Sequence, residues 1–211
     1  MGVKKALIGA ALGIAGLLGG VSTCNYYAGD KRIVNYAYCT ARNIFNDFDR
    51  EEIVEIPIAV YYDGFLQRED IDRCYNAYSM AEDEMLRQFG IKFNMIDSGA
   101  RGLPENISMF YLREIGSREA SINLYCVSRI YQQENECNIG LSSLAANSIQ
   151  VVARMETEEV RDVMLHEIGH LFYAEHTDDE RCYMHYRSTT SPLQWCDEER
   201  ETIEKYKVRL W

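Results

Sequence analysis

Apolar and polar positions along this 211-residue chain fall into blocks with different periods. Ile56-Pro57-Ile58-Ala59-Val60-Tyr61-Tyr62 is an apolar run closed by Asp63-Gly64, the pattern of a strand and a turn. From Glu69 to Phe89 the period changes. Ile71, Tyr75, Tyr78, Ala81, Met85, Leu86 and Phe89 recur at three- and four-residue steps, which predicts a helix with a core-packing stripe, ended by Gly90. Alternation returns over Ile91 to Ile96, a second strand. Ser98 to Asn106 reads as a loop on the strength of Gly99, Gly102 and Pro104. Segments 108–112 and 122–127 are further strand candidates, and the polar stretch 132–138 reads as a turn or flap. Residues 140–145 and 148–153 lead into a second helix, with Thr157 as N-cap and Val160, Val163, Met164 and Leu165 on its apolar side. The tail Asp197 to Leu210 predicts a third helix that buries Ile203, Tyr206 and Leu210. This order reads as one α/β layer, with no internal repeat.

The first residues break the pattern. Lys4 and Lys5 precede an uncharged run from Ala6 to Val21, the charged start and apolar centre of a secretory signal. Val21-Ser22-Thr23-Cys24 resembles a lipobox, with Cys24 as the acylated residue. Thr23 stands where a small Gly or Ala is usual, so an uncleaved anchor with Cys24 as an ordinary thiol stays open. The organisation expected is a signal or membrane anchor over 1–24, a stalk over 25–55 and one domain over 56–211.

Composition narrows the partners. Net charge is −11, which argues against binding phosphate backbones, so no nucleic acid is expected. With 47% hydrophobic residues the chain can build a real core. Seven cysteines fit an exported protein: with Cys24 set aside, six allow three disulfides. The expected pairs are Cys182–Cys196 and Cys126–Cys137, which close short loops, and then Cys39–Cys74; reduced thiols in a cytosolic protein are the alternative. Cys39 could instead serve a latency segment by ligating a metal.

Three of the four histidines lie in His166-Glu167-Ile168-Gly169-His170-Leu171-Phe172-Tyr173-Ala174-Glu175-His176. On a helix His166 and His170 share one face, one turn apart, so both can reach one metal ion. Glu167 stands beside them, placed to take a proton from a water. His176 on a continued helix would be about 600° round and about 9 Å up. The helix must therefore end near Tyr173, and the chain must turn back, if His176 is the third ligand. Three protein ligands with an open fourth position describe a catalytic zinc site.

HEIGHLFYAEH followed by Cys182-Tyr183-Met184 resembles the metzincin zinc peptidases, and among them looks most like the archaemetzincins. The resemblance implies a zincin fold of α/β (α+β) class. That fold has a mixed twisted sheet with a backing helix and an active-site helix, and a small C-terminal subdomain after the third histidine. It implies one Zn2+ held by His166, His170 and His176, and Glu167 as general base and then proton donor. Met184 would be the Met-turn residue beneath the site and Tyr186 an oxyanion helper. A peptide or protein substrate follows. A monomer is expected, exported to the cell surface or another extracytoplasmic site and held at the membrane by the lipid or anchor of residues 1–24. His185 is expected at the surface.

Two departures from the family stand out. Metzincins usually have Gly where this chain has Tyr173, and a bulky residue at φ > 0 costs roughly 1 kcal/mol or more. Were His176 displaced, Asp178 or Asp179 would be the substitute ligand. Archaemetzincins also carry four cysteines for a structural zinc; here the first is Thr177, and none follows Cys196 three residues on, so no second zinc is expected. A non-catalytic, exported peptide-binding lipoprotein is the alternative function, and Tyr173 is its best support.

Overall fold

The computed structural model describes residues 53–101, 116–130, 139–144, 146–186 and 193–207. Strand β1 (Val54–Asp63) leads to helix α1 (Arg68–Phe89) and strand β2 (Ile91–Arg101). Strands β3 (Ile122–Val127), β4 (Gly140–Ser143) and β5 (Ser148–Val152) follow, then helices α2 (Thr157–Leu171) and α3 (Asp197–Tyr206). The five strands form one mixed sheet in the order β2-β1-β3-β5-β4. All neighbours are parallel except β4, which runs antiparallel to β5 at the edge.

Strand residues point alternately to opposite faces. Ile56, Ile58 and Val60 of β1, Ile122, Leu124 and Cys126 of β3, and Ile149 and Val151 of β5 face the helices. There they pack with Cys74, Ala77, Met85 and Phe89 of α1 and Val160, Met164, Leu165 and Ile168 of α2 in one core. Ala59, Tyr61, Tyr125 and Val127 belong to a second cluster on the other face. Strand β3 is buried on both faces, which explains why its apolar run shows no alternation.

Helix α1 ends as its sequence predicts: Gly90 takes φ 65° and its N–H donates to the Leu86 carbonyl. Its buried face is centred on the small residues Cys74, Ala77 and Ala81, and Leu86 sits at the margin, 36% exposed. Helix α2 starts one residue earlier than expected. Thr157 is its first helical residue, because Glu159 reaches back to the Glu156 N–H at 3.2 Å and closes the turn there.

Two expectations are corrected. Ser98 to Arg101 is not loop but the second half of β2: after a register shift at Ile58/Ala59, Asp97 to Arg101 continues the pairing with Ala59 to Asp63. The exposed edge is decorated by polar contacts instead of apolar alternation. Tyr61 donates to Asp97 Oδ2 at 2.5 Å, and the Arg101 guanidinium lies 4.5 Å from the Tyr61 ring.

The second correction concerns the cysteines. Cys126 is bonded to Cys74, so neither Cys126–Cys137 nor Cys39–Cys74 forms. The reason is the pleat. Cys126 shares the helix-facing side of β3 with Ile122 and Leu124, and there meets the inward face of α1 at a Cα–Cα distance of 6.5 Å. Short loop length is the wrong criterion for Cys126, although it holds for the expected Cys182–Cys196 pair. Cys182 is bonded to Cys196. Cys24, Cys39, Cys137, the strand candidate at 108–112, the flap at 132–138 and Leu210 lie outside the described residues. Among the described residues, no helix is long and apolar enough to cross a membrane.

Candidate active site

Helix α2 packs beneath β5 and the edge strand β4, which fixes where its polar face opens. The apolar side of the helix goes to the core, and His166 and His170 leave the other side one turn apart. The helix stops at Phe172. Tyr173 then takes φ 68°, its N–H donates to the His170 carbonyl, and the Ala174 N–H donates to the Gly169 carbonyl. That pair of bonds is a Schellman stop, which normally has glycine at the left-handed position. Tyr173 holds it because its ring is buried. It lies 4.7 Å, edge to face, from Tyr206 of α3, with Val54 and Leu144 packed around the pair. Burial of an aromatic ring is worth more than the roughly 1 kcal/mol that the left-handed backbone costs.

The turn brings His176 back. The Nε2 atoms of His166, His170 and His176 form a nearly equilateral triangle with edges of 3.2, 3.2 and 3.1 Å. Tetrahedral zinc with Zn–N bonds of about 2.0–2.1 Å requires nitrogens about 3.3 Å apart, so the triangle fits that ion. The tautomers fit as well. His166 Nδ1 is 2.7 Å from the Tyr183 carbonyl, and His170 Nδ1 is 2.9 Å from the Ala174 carbonyl. A carbonyl only accepts, so each Nδ1 carries the proton and each Nε2 offers a lone pair. Burial pushes the His166 imidazole down to about 4 and lowers His170 as well, so both are neutral at physiological pH. Asp179 is committed to Arg181, through Oδ1 at 2.9 Å and Oδ2 at 2.6 Å. Among the described residues the three histidines are one group close enough to hold a metal ion; the other, Asp179 with Cys182 and Cys196, has both sulfurs in a disulfide.

Glu167 is buried, 6% exposed, on the core side of the cleft beneath β4. Burial raises its carboxyl to about 7, and a hydrogen bond from Ser142 opposes part of that rise. The space it occupies depends on Gly140: a Cβ there would lie 2.5 Å from Glu167 Oε1. Gly169 makes a second close approach. A Cβ there would lie 2.4 Å from Met184 Sδ and 3.3 Å from the Trp195 ring. Met184 therefore sits directly under the helix turn between His166 and His170, fully buried, with Trp195 beside it against Phe89 and Tyr183.

The Met184 loop is held by its backbone. Thr177 N–H donates to the Met184 carbonyl, Tyr183 N–H to Gln194, and Gln194 N–H to Arg181. Glu199, at the start of α3, accepts from the Met184 N–H at 3.1 Å and the Cys196 N–H at 3.0 Å. The Cys182–Cys196 disulfide closes the same loop. Sequence reading missed Glu199, Ser142, Trp195 and the Tyr183 carbonyl. Of these only Glu199 and Trp195 had a signal, standing three residues after and one before a cysteine. His185 is corrected: it is 7% exposed, its ring 4.7 Å from that of Tyr186. Tyr186 is 55% exposed, and both residues line the cleft.

A cavity of about 560 Å³ opens in front of the triad between α2, β4 and the Met184 loop, and one of about 370 Å³ lies on its other side, toward Tyr173 and Leu144. Ser142 and two of the three histidines, His170 and His176, border both.

No family model matches the sequence, and no curated protein matches it. Among solved structures, the archaemetzincin of Methanopyrus kandleri is similar at 17% identity and a TM-score of 0.59, over 78% of this chain and 100% of that one. This likeness establishes the shared fold. A zinc-dependent peptidase from Methanocorpusculum labreanum also matches, at 14% identity and a TM-score of 0.49 over 69% of this chain and 99% of that one. So does the metalloproteinase-II of Bacteroides fragilis, at 13% identity and a TM-score of 0.47, over 78% of this chain and 60% of that one.

Proposed function

We propose that the protein is a zinc-dependent metallopeptidase. The observation that carries this reading is the triangle of three Nε2 atoms beside a buried carboxylate, in a cleft that is open on one side. His166, His170 and His176 would hold the ion. When bound, zinc supplies Lewis acidity toward a carbonyl oxygen and acidifies water.

The chain supplies the rest. Glu167, with a carboxyl raised to about 7, is poised to accept a proton near neutral pH and to return it to a leaving amine. The low-dielectric wall around it strengthens both transfers. Ser142 fixes the carboxylate in place. Strand β4 is an edge, and the unpaired side of an edge strand can take an extended peptide as a further strand. Such a peptide would cross the cleft between the two cavities. Tyr186 lines the same cavity and is assigned the oxyanion role, with a single zinc ion and a monomeric enzyme. Tyr173, the residue on which a non-catalytic reading rests, makes the very turn that brings His176 into range.

The two disulfides fit an oxidising, extracytoplasmic compartment. Export and tethering through residues 1–24 belong to the same proposal and rest on the sequence alone.

The test is Glu167→Gln. The variant should bind one zinc per chain like the wild type, and hydrolyse a mixed peptide library roughly 10²–10⁴-fold more slowly. Full activity in that variant would overturn the mechanism. A wild-type protein that takes up no zinc would overturn the function.

A further inference from the structure

The larger cavity extends past the triad along α2, toward the N-terminus of that helix. Asp162 stands four residues before His166, hence one turn away on the same face. It lines this recess together with Val163, Tyr183, Leu193 and Ile139. The walls are thus apolar and aromatic, and the far wall carries one carboxylate. Asp162 is largely buried, with 19% of its side chain exposed. Its Oδ1 takes both bonds from Arg161, at 2.8 and 2.6 Å. Among the described residues Oδ2 takes none.

Charge in the neighbourhood is negative on balance. Arg161 pairs with Asp162, while Glu158 and Glu159 both add negative potential at Asp162. A helix turn is about 5.4 Å, close to the reach of a lysine or arginine side chain. A substrate residue seated over the triad could lay its methylenes along Val163 and Leu193 and set its cation on Asp162 Oδ2.

We propose that Asp162 makes this recess a subsite for a cationic side chain, so that the substrates are peptides with lysine or arginine next to the cleaved bond. This rests on the peptidase reading and names the substrate class for it. An aliphatic stem matches the walls, and a free carboxylate oxygen in a partly dehydrated site rewards a cation that completes its bonding. An acidic side chain would meet like charge in the same place.

The experiment uses the full-length, zinc-loaded protein and two sets of probes. The first is a pair of peptides differing only by lysine or norleucine beside the scissile bond. The second is a matched pair of peptidyl hydroxamates, whose binding reads the subsite without turnover. Wild type should favour lysine at least tenfold in kcat/KM and in hydroxamate affinity. Asp162→Asn should bring both ratios to about one, and Asp162→Glu should retain most of the preference, with melting temperature confirming that each variant is folded. Hydrolysis of both peptides at equal rates by wild type would overturn the subsite and leave the peptidase reading intact. A lysine preference unchanged in Asp162→Asn would overturn it too, by assigning the cation to another group. Absence of both hydrolysis and hydroxamate binding in the wild type would overturn the peptidase reading, and this proposal with it.

Discussion

Helix α2 and the segment that follows it, Phe172 to Tyr186, each contribute to one triangle of histidines, and they do so by opposite means. The helix fixes His166, Glu167 and His170 through a regular backbone whose geometry needs no outside help once its apolar side is buried. The return segment has no such repeat. It places His176 through one left-handed tyrosine, a few backbone bonds, a disulfide and a carboxylate reaching in from α3. Regular structure carries its own precision. Irregular structure borrows it from neighbours, so the place of His176 depends on Tyr206, Cys196 and Glu199, residues far from it in sequence.

The comparison would break most visibly at the disulfides. Loop closure predicts about 4 kcal/mol of stabilisation for Cys74–Cys126 and about 3 kcal/mol for Cys182–Cys196, from sequence separations of 52 and 14. The consequences should differ in kind. Cys74→Ser with Cys126→Ser removes a tie between α1 and β3, and should lower global stability while the folded protein keeps its zinc affinity. Cys182→Ser with Cys196→Ser loosens the loop that carries Met184 and the Tyr183 carbonyl, and should weaken zinc binding as well. Denaturant unfolding and chelator competition measure the two effects. Equal loss of zinc affinity in both double variants would erase the distinction.

The helix itself is tested by pH, in metal-free protein. His166 falls from 6.5 to about 4 on folding, so the stability it contributes is complete above pH 6.5 and is lost as pH falls toward 4. Glu167 rises from 4.5 to about 7, so its contribution is complete below pH 4.5 and is lost as pH rises toward 7. Between pH 4.5 and 6.5 the two slopes oppose each other. Glu167→Gln removes one of them. The gain in stability across that interval should then exceed the wild-type gain by about 2–3 kcal/mol. Parallel curves for the two proteins would show that Glu167 titrates at an ordinary value and is not buried as described.

How much of this could be read from the sequence follows the same division. The spacing of His166 and His170 and the end of α1 at Gly90 are local rules, so residue order expresses them. The left-handed φ at Tyr173 was the expected price of the return, but its compensation was not visible, because Tyr206 lies in another helix. The Cys74–Cys126 bond failed for a similar reason: it joins elements that only the sheet order brings together. Strand β2 was read too short because its second half pairs through polar residues on an exposed edge. Gly140 and Gly169 showed their reason only in space, as the openings that admit Glu167 and Met184.

The smallest effect is expected at Glu199, and it separates positioning from catalysis. Both carboxylate oxygens are used, one on the Met184 N–H and one on the Cys196 N–H. Burial holds this carboxyl above the usual range, and the two N–H donors pull it back toward ionisation. Glu199→Gln keeps the shape and one acceptor but turns the other group into a donor facing a donor, at a cost of about 1–2 kcal/mol. Because Glu199 touches the loop backbone and not the triad, that cost should appear in the melting temperature and weakly in zinc affinity. The kcat of the zinc-saturated variant should stay within about twofold of wild type, since an effect of about 0.4 kcal/mol or less on the barrier is all that a small tilt of the Met184 loop would transmit. A tenfold fall in kcat at full zinc occupancy would instead place Glu199 in the chemistry, and the return segment would then be doing more than holding His176 in position.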